Sequence, residues 1–404
     1  MVNKKILLLS TYPIRNPQHG GQKRARAIYE IYKDNFTKVR HSAVFFKGFY
    51  SDYDVDDVPL SRASEQLVMQ SPLTGDIVCG EAIYKDVFVK KKMSDVLLEL
   101  QPDIVHIEQP FPYLGLRPLL DELNMKPNIV FGSQNIEAPM KREILEGANT
   151  SIKITEDVVN IIAELEHNLS STSDLVVACT TEDVNAHIRM GAKETVLAPN
   201  GIAPIKSNQN SRNYWETIFK RLGAKQIILF VGSAHPPNWT GFLQMVGKGL
   251  GFIPANTRIV VAGSISDYFE REIKPETLEI EDATFWLRAF SVGRLSEERL
   301  GALIEQCDIM LLPITEGGGS NLKTAEAILA NKKVVTTDHA LRSFEWFKKF
   351  PNVWVANNQK DFQKYIQEAL DTPIRDRTPE QDKLTQQVRW DKCLKEMVKK
   401  VSKL

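Results

Sequence analysis

Residues 309–336 read IMLLPITEGGGSNLKTAEAILANKKVVT, and their order decides the fold. Ile309 to Leu312 is a short apolar strand-forming run, Ser320 to Ala330 is a helix-forming run, and Val334 to Thr336 is β-branched again. Three consecutive glycines, Gly317, Gly318 and Gly319, interrupt the passage from strand to helix. Glycine loses more backbone entropy on ordering than any other residue, so an ordered triplet points to positive φ or to close approach of another group to the backbone. Ser320 or Asn321 is the expected N-cap. Such a turn leaves unpaired N–H groups and the positive end of a helix dipole at one spot, which suits a phosphate; a tight strand-to-helix turn without ligand has the same sequence.

The same alternation runs through the chain. Strands are expected at Ile6 to Leu9, Val39 to Phe46, Ile104 to Ile107, Ile129 to Phe131, Leu175 to Ala178 and Thr195 to Leu197. A second series is expected at Ile227 to Val231, Arg258 to Ala262, Phe285 to Leu287, Ile309 to Leu312, Val334 to Thr336 and Val353 to Val355. Helical patterns lie between them, at Gln22 to Lys33, Lys90 to Leu100, Val158 to Ser170, Glu182 to Met190 and Glu297 to Cys307 among others. Strands alternating with helices predict an α/β doubly wound fold, and two series predict two sheets. The stretch Pro199 to Asn213, rich in Pro, Asn, Ser and Gly, is the expected seam.

Composition narrows the function classes. The 404 residues carry 51 basic and 51 acidic side chains, so no strongly basic domain argues for nucleic acid. Cys79, Cys179, Cys307 and Cys393 have neither CxxC spacing nor His partners, which indicates no zinc site or disulfide framework and fits a reducing compartment. The apolar run of MVNKKILLLSTYP is too short for a membrane span and reads as a first buried strand.

Ligands of open parallel sheets bind beyond the carboxyl ends of the strands, so the residues that follow each strand are the site candidates. After the first strand, Gly20 and Gly21 precede a helix that opens with Lys23, Arg24 and Arg26, either an anion or sugar cradle or a solvated basic face. His106 and Glu108, two residues apart, fall on one face at a strand's end, and Asn135 and Glu137 follow the next strand. In the second series, Gly232 and Ser233, then Gly263 and Ser264, then Gly293 and Arg294, then the glycine triplet, make the second sheet look like a nucleotide platform.

These residues resemble the nucleotide-sugar-dependent glycosyltransferases of the GT-B fold, in particular the retaining group of glycosyltransferase family 4. HGGQKRA, DIVHIEQP, SQNIEAPMKRE, DLVVACTTEDV, APNGIAP, ILFVGSAHPPN, VGRLSEERLGALIEQCDIMLLPI and GGGSNLKTAEAILANKKVVTT carry the resemblance, in order, over nearly the whole chain. It implies two Rossmann-like domains facing across a cleft: an acceptor domain over residues 1–200, a nucleotide-sugar domain over 201–380, and a C-terminal helix within 381–404 that returns to the first domain.

The resemblance also implies roles. Glu326 would hold the nucleotide ribose through its hydroxyls; a carboxylate has two acceptor oxygens for a cis-diol. Gly317, Gly318, Gly319, Ser320, Asn321 and Leu322 would approach the donor, as would Gly20, Gly21, Gly232 and Ser233. His106 and Glu108 would contact sugar or acceptor as catalytic candidates, and Asn135 and Glu137 would bind acceptor. Many relatives carry an Arg and a Lys after the first strand of the second domain to neutralise the departing diphosphate, where this chain has Ser233 and Asn238. Lys323 and Arg294 are the candidate replacements.

The expected reaction moves a sugar from a UDP- or GDP-sugar to a glycan, lipid-linked or small-molecule hydroxyl acceptor with retention, without a metal ion, in polysaccharide or glycoconjugate synthesis. A sugar-nucleotide epimerase and a binding-only relative are the alternatives. A nicotinamide oxidoreductase is disfavoured because no GxGxxG follows the first strand. A cytoplasmic location is expected. RWDKCLKEMVKKVSKL, residues 389–404, has Leu394, Met397, Val398 and Val401 at helical spacing among lysines, so it could lie on an anionic membrane surface or pack on the first domain.

Overall fold

The structure is a computed structural model that describes residues 1–274, 280–317 and 322–404. It divides into two compact units, Met1–Asn200 with Cys393–Leu404, and Gly201–Lys392.

The first unit is built on β1 (Val2–Ser10), β2 (Phe36–Phe45), β3 (Val58–Pro59), β4 (Ile104–Glu108), β5 (Asn128–Ser133), β6 (Leu175–Ala178) and β7 (Thr195–Leu197). They pair in parallel in the order β3-β2-β1-β4-β5-β6-β7. Ile6, Leu7, Leu8 and Leu9 are all fully buried, because a parallel sheet has both faces covered and needs a continuous apolar run rather than an alternating one. The strand order reverses between β1 and β4, the switch point beyond whose carboxyl ends open parallel sheets bind ligands. At the edge of this sheet, Ser10 Oγ lies 2.9 Å from His41 Nε2 and His41 Nδ1 lies 3.3 Å from Asp57 Oδ1. The trio has the residue types of a serine hydrolase, but His41 Nδ1 makes no hydrogen bond, and Ser10 is fully buried and donates to Tyr12 O, so it braces the sheet and presents no nucleophile.

The second unit is built on β8 (Gln226–Val231), β9 (Thr257–Ala262), β10 (Ala289–Gly293), β11 (Ile309–Leu312), β12 (Lys333–Thr336) and β13 (Val353–Val355), in the parallel order β10-β9-β8-β11-β12-β13. Its reversal falls between β8 and β11. Apolar clusters fill both faces, one around Trp215, Leu303, Ile328 and Phe347, the other around Phe230, Phe242, Phe269 and Phe285.

Three expectations need correction. Phe285 to Leu287 is not a strand. Phe285 ends the helix Ile280–Phe285 and joins the aromatic cluster, Trp286 Nε1 donates 2.8 Å to Ile273 O, and the strand begins at Ala289. The seam is shorter than Pro199 to Asn213, because Asn208 caps the helix Gln209–Arg221 through its side chain and draws the later residues into the second unit. Residues 381–392 stay with the second unit, where Ile202 N donates 2.8 Å to Val388 O; only Cys393–Leu404 belong to the first.

The last helix packs on the first unit, one of its two expected placements. Leu394, Met397 and Val401 are fully buried against the first unit, where Lys400 bonds Glu194 and Asn128 Nδ2 reaches Leu404 O at 2.9 Å. Val398 is half-buried beside them, so the apolar stripe of this helix packs within the first unit. Among the described residues, no helix is long and apolar enough to cross a membrane.

Gly263 shows how tightly the strand ends of the second sheet are drawn together. Its φ is +95°, Gly263 N donates 2.7 Å to Gly293 O, and a Cβ there would collide with Gly232 O. Gly263→Ala is expected to destabilise the second unit by about 2–3 kcal/mol, from both overlap and backbone strain. Urea denaturation followed by tryptophan fluorescence checks this, and an unchanged midpoint would mean that the loop simply moves aside.

Candidate functional site

The carboxyl edge of the second sheet gathers the loops that leave β8 and β11. Gly241 lies in the helix Pro236–Met245, and a Cβ there would collide with Pro313 O, so the missing side chain lets this helix press onto the exit of β11. Contacts follow along the same line: Thr240 Oγ1 donates 3.0 Å to Glu316 Oε1, and Lys323 Nζ donates 2.5 Å to Asn238 Oδ1. Asn238 is oriented in turn, its Nδ2 donating to Ser233 O at 2.9 Å and to Ser233 Oγ at 3.2 Å. Lys323 therefore brings an ammonium group to the asparagine that stands where the resemblance led us to expect a lysine.

Glu326 lies one turn into the helix Leu322–Ala330, three residues after Lys323 and on the same face; both are half-buried. Burial pushes the Lys323 ammonium down to about 8, with the nearby Glu326 carboxylate pulling it back up. Gly317 has a φ of +102°, a conformation that favours glycine. Arg294 is exposed beside Gly293 at the end of β10, and Gly232 is buried with Ser233 exposed beyond it. Gly318, Gly319, Ser320 and Asn321, including both expected caps, lie outside the described residues.

The carboxyl edge of the first sheet holds a buried polar network. Tyr32 Oη lies 2.7 Å from His106 Nδ1, and His106 Nε2 lies 3.1 Å from Glu108 Oε1. Gln134 Nε2 donates 2.6 Å to both Glu108 Oε2 and Tyr12 Oη, while Arg24 Nε stands 3.7 Å from Glu108 Oε2. Gly132 makes room for this, since a Cβ there would overlap Glu108 Oε1 and His106 Nε2. Burial opposes ionisation of Glu108, but the His106 hydrogen bond and the Arg24 charge outweigh it and hold the carboxyl below its ordinary range.

Several of the expected site residues lie deeper than their spacing implied. His106 and Glu108 do share a face, and both are fully buried, with Tyr32, Gln134 and Arg24 as their further partners. Gly20 and Gly21 do not precede the helix but form its first turn, after His19 as N-cap. A Cβ added at Gly21 would crowd Gln134 Oε1 and Tyr12 Oη. Arg24 belongs to no solvated face: it is fully buried and donates 2.8 Å to Ala198 O and 3.2 Å to Asn200 Oδ1.

Asn135 is half-buried, whereas Glu137, expected at the acceptor, is only 1% exposed. Burial first, then the charges of Asp76 and Glu166, push Glu137 up to about 8. Glu166, which sequence reasoning missed, is pushed up to about 7 by burial despite accepting the backbone N–H groups of Glu137 at 2.7 Å and Ala138 at 3.0 Å. It caps the helix Glu137–Gly147 from another helix, and its position in an ordinary amphipathic run gave no signal.

A carboxyl whose folded pKa is raised contributes stability at low pH that is lost as pH rises towards that value. Between roughly pH 4.5 and 8 the folded chain holds a proton on Glu137 that the unfolded chain releases. Glu137→Gln is therefore expected to stabilise the protein at pH 8.5 by on the order of 2 kcal/mol, with much less gain at pH 5. Denaturant titrations at the two pH values check this; equal effects at both would remove Glu137 from the account.

Residues 225–372, inside the second unit, match the family model described as Glycosyl transferases group 1. No curated protein matches the chain by sequence. Among solved structures, HepE from Anabaena in complex with UDP-glucose is 14% identical, with 100% of each chain covered and a TM-score of 0.63. Sucrose-phosphate synthase from Thermosynechococcus elongatus is 12% identical over 99% of each chain with a TM-score of 0.67. A glycosyltransferase from Rickettsia africae is 15% identical, covering 99% of this chain and 98% of its own, with a TM-score of 0.63. With two parallel doubly wound units, these likenesses give the fold as GT-B, and the second unit carries a glycosyltransferase-like domain.

Proposed function

We propose that the protein is a retaining, nucleotide-sugar-dependent glycosyltransferase that moves a hexosyl group from a UDP- or GDP-sugar to a hydroxyl acceptor in cell-surface polysaccharide or glycoconjugate synthesis. The observation that carries this reading is the Lys323–Asn238 contact, which places a cation at the switch point of the second sheet, one helical turn from Glu326. The glycosyltransferase match over residues 225–372 and the UDP-glucose bound by HepE support the same donor class.

In this scheme the Glu326 carboxylate accepts the ribose hydroxyls, and the donor phosphates face the start of the helix Leu322–Ala330. As the glycosyl group leaves, negative charge grows on the diphosphate. Lys323 and the backbone dipoles, fixed in place beforehand, stabilise that charge, so the scheme requires no metal ion. The acceptor hydroxyl attacks from the face that the diphosphate leaves, which retains the anomeric configuration. Asn135 and the crevice between β1 and β4 are assigned to the acceptor.

Incubation with UDP- and GDP-sugars and a panel of acceptor sugars tests this. Release of nucleoside diphosphate only when acceptor is present, with a product of the donor's anomeric configuration by NMR, is the expected result. An inverted product overturns retention, an epimerised sugar nucleotide reassigns the protein as an epimerase, and tight binding without turnover reassigns it as a binding protein.

A further inference from the structure

The glycine-rich stretch is tied at both of its described flanks to one turn, residues 337–340. On the near side Thr337 Oγ1 donates to Ile314 O, and His339 Nε2 lies 3.0 Å from Gly317 O. On the far side Thr324 Oγ1, in the helix Leu322–Ala330, donates 2.6 Å to Ala340 O. The turn is itself fixed from behind: Asp338 accepts from Lys348 Nζ at 2.5 Å and Asn357 Nδ2 at 2.5 Å, and its N–H donates 3.0 Å to Asn357 Oδ1. Ala340 N closes the turn on Thr337 Oγ1 at 3.1 Å.

Thr324 and Thr337 are buried, and their bonds belong to the core of the second unit. His339 differs, since it is half-buried at the carboxyl edge and reaches across to a glycine whose φ of +102° leaves its backbone without side-chain restraint. Burial, then repulsion by Arg342, holds the His339 pKa below its ordinary value, so the ring is neutral at neutral pH and its Nε2–H tautomer makes the bond. Arg342 Nη1 also donates 2.9 Å to His339 O, which fixes the backbone from which the ring projects.

We propose that His339 is a positioning residue for donor binding, holding the Gly317 carbonyl so that the backbone leaving β11 is set before a nucleotide sugar arrives. The proposal rests on the glycosyltransferase reading above. A bond already made in the free protein removes ordering cost from binding, so its loss falls on donor affinity rather than on chemistry.

The test uses calorimetric titration of UDP-glucose and GDP-mannose onto the wild-type chain, His339→Ala and His339→Gln, followed by steady-state kinetics with the sugar nucleotide that binds. The expected result is an affinity loss of about 3- to 10-fold in His339→Ala, seen in the donor KM with kcat little changed, at an unaltered melting temperature. His339→Gln, whose amide N–H can replace the imidazole donor, recovers most of the affinity. Equal affinity in wild type and His339→Ala overturns the proposal while leaving the glycosyltransferase reading intact. Loss with a lowered melting temperature and no rescue by glutamine also overturns it, in favour of a general structural role. Failure of the wild-type chain to bind either sugar nucleotide defeats the underlying reading, and the proposal with it.

Discussion

Replacing Lys323 with methionine is expected to lower turnover by about 10²–10³-fold while leaving the fold intact, the size of effect seen when one preorganised donor to a developing anion is removed. Lys323 Nζ meets Asn238 Oδ1 at the switch point, and burial holds its pKa down at about 8. The sign of the pH dependence follows. Below about pH 8 the ammonium is charged and ready for the diphosphate; as pH rises through that value the free enzyme loses the charge, so kcat/KM falls. Lys323→Arg keeps a cation that does not titrate in this range, and the alkaline limb should disappear at a lower but measurable rate. Steady-state profiles from pH 6 to 10 decide this. A methionine variant with near wild-type turnover and the same alkaline limb would return the leaving-group role to Arg294, the exposed candidate beside Gly293.

Glu326→Ala is expected to weaken donor binding by at least about 10²-fold, because two hydrogen bonds to a charged acceptor contribute roughly 1.5–3 kcal/mol each. The residue is half-buried on a nine-residue helix, so truncation should leave stability little changed. Glu326→Gln keeps the shape and one carbonyl acceptor and should fall between the two. Titration with a nucleoside diphosphate and with the nucleoside alone locates the loss. If Glu326 holds the ribose, both ligands weaken equally, whereas a loss confined to the diphosphate would place Glu326 at the phosphates.

Much of the fold was legible because strands buried on both faces must be continuous apolar runs. Leu175–Ala178 and Ile309–Leu312, buried throughout, coincide residue for residue with the expected strands, as do the less buried edge strands Thr195–Leu197 and Val353–Val355. The miss at Phe285 to Leu287 has a physical source, since aromatic side chains fill a core as well from a helix end as from a strand. The two-residue β3 is too short to carry a pattern.

The site was legible only where local order creates it. Two polar residues at i and i+2, His106 and Glu108, are a local fact, and that was read. Depth was not, because His106 and Glu108 are buried by Arg24, Tyr12, Tyr32 and Gln134, which arrive from other elements. Lys323 and Asn238 are 85 residues apart in the chain, and only the sheet order brings β8 beside β11 and so joins them. Glu166 lies 29 residues from the backbone N–H of Glu137 that it caps, with nothing around it to mark the bond.

The central claim is that the carboxyl edge of the second sheet binds a nucleotide sugar through Glu326 and Lys323. Thermal shift of the wild-type chain, Glu326→Ala and Lys323→Met across a panel of UDP-, GDP-, ADP- and dTDP-sugars tests it most directly, because a ligand bound only to the folded state raises apparent stability. The account predicts that at least one UDP- or GDP-sugar raises the melting temperature of the wild type and that Glu326→Ala abolishes the rise. A wild-type chain that no sugar nucleotide stabilises, or a rise that persists unchanged in both variants, would contradict it.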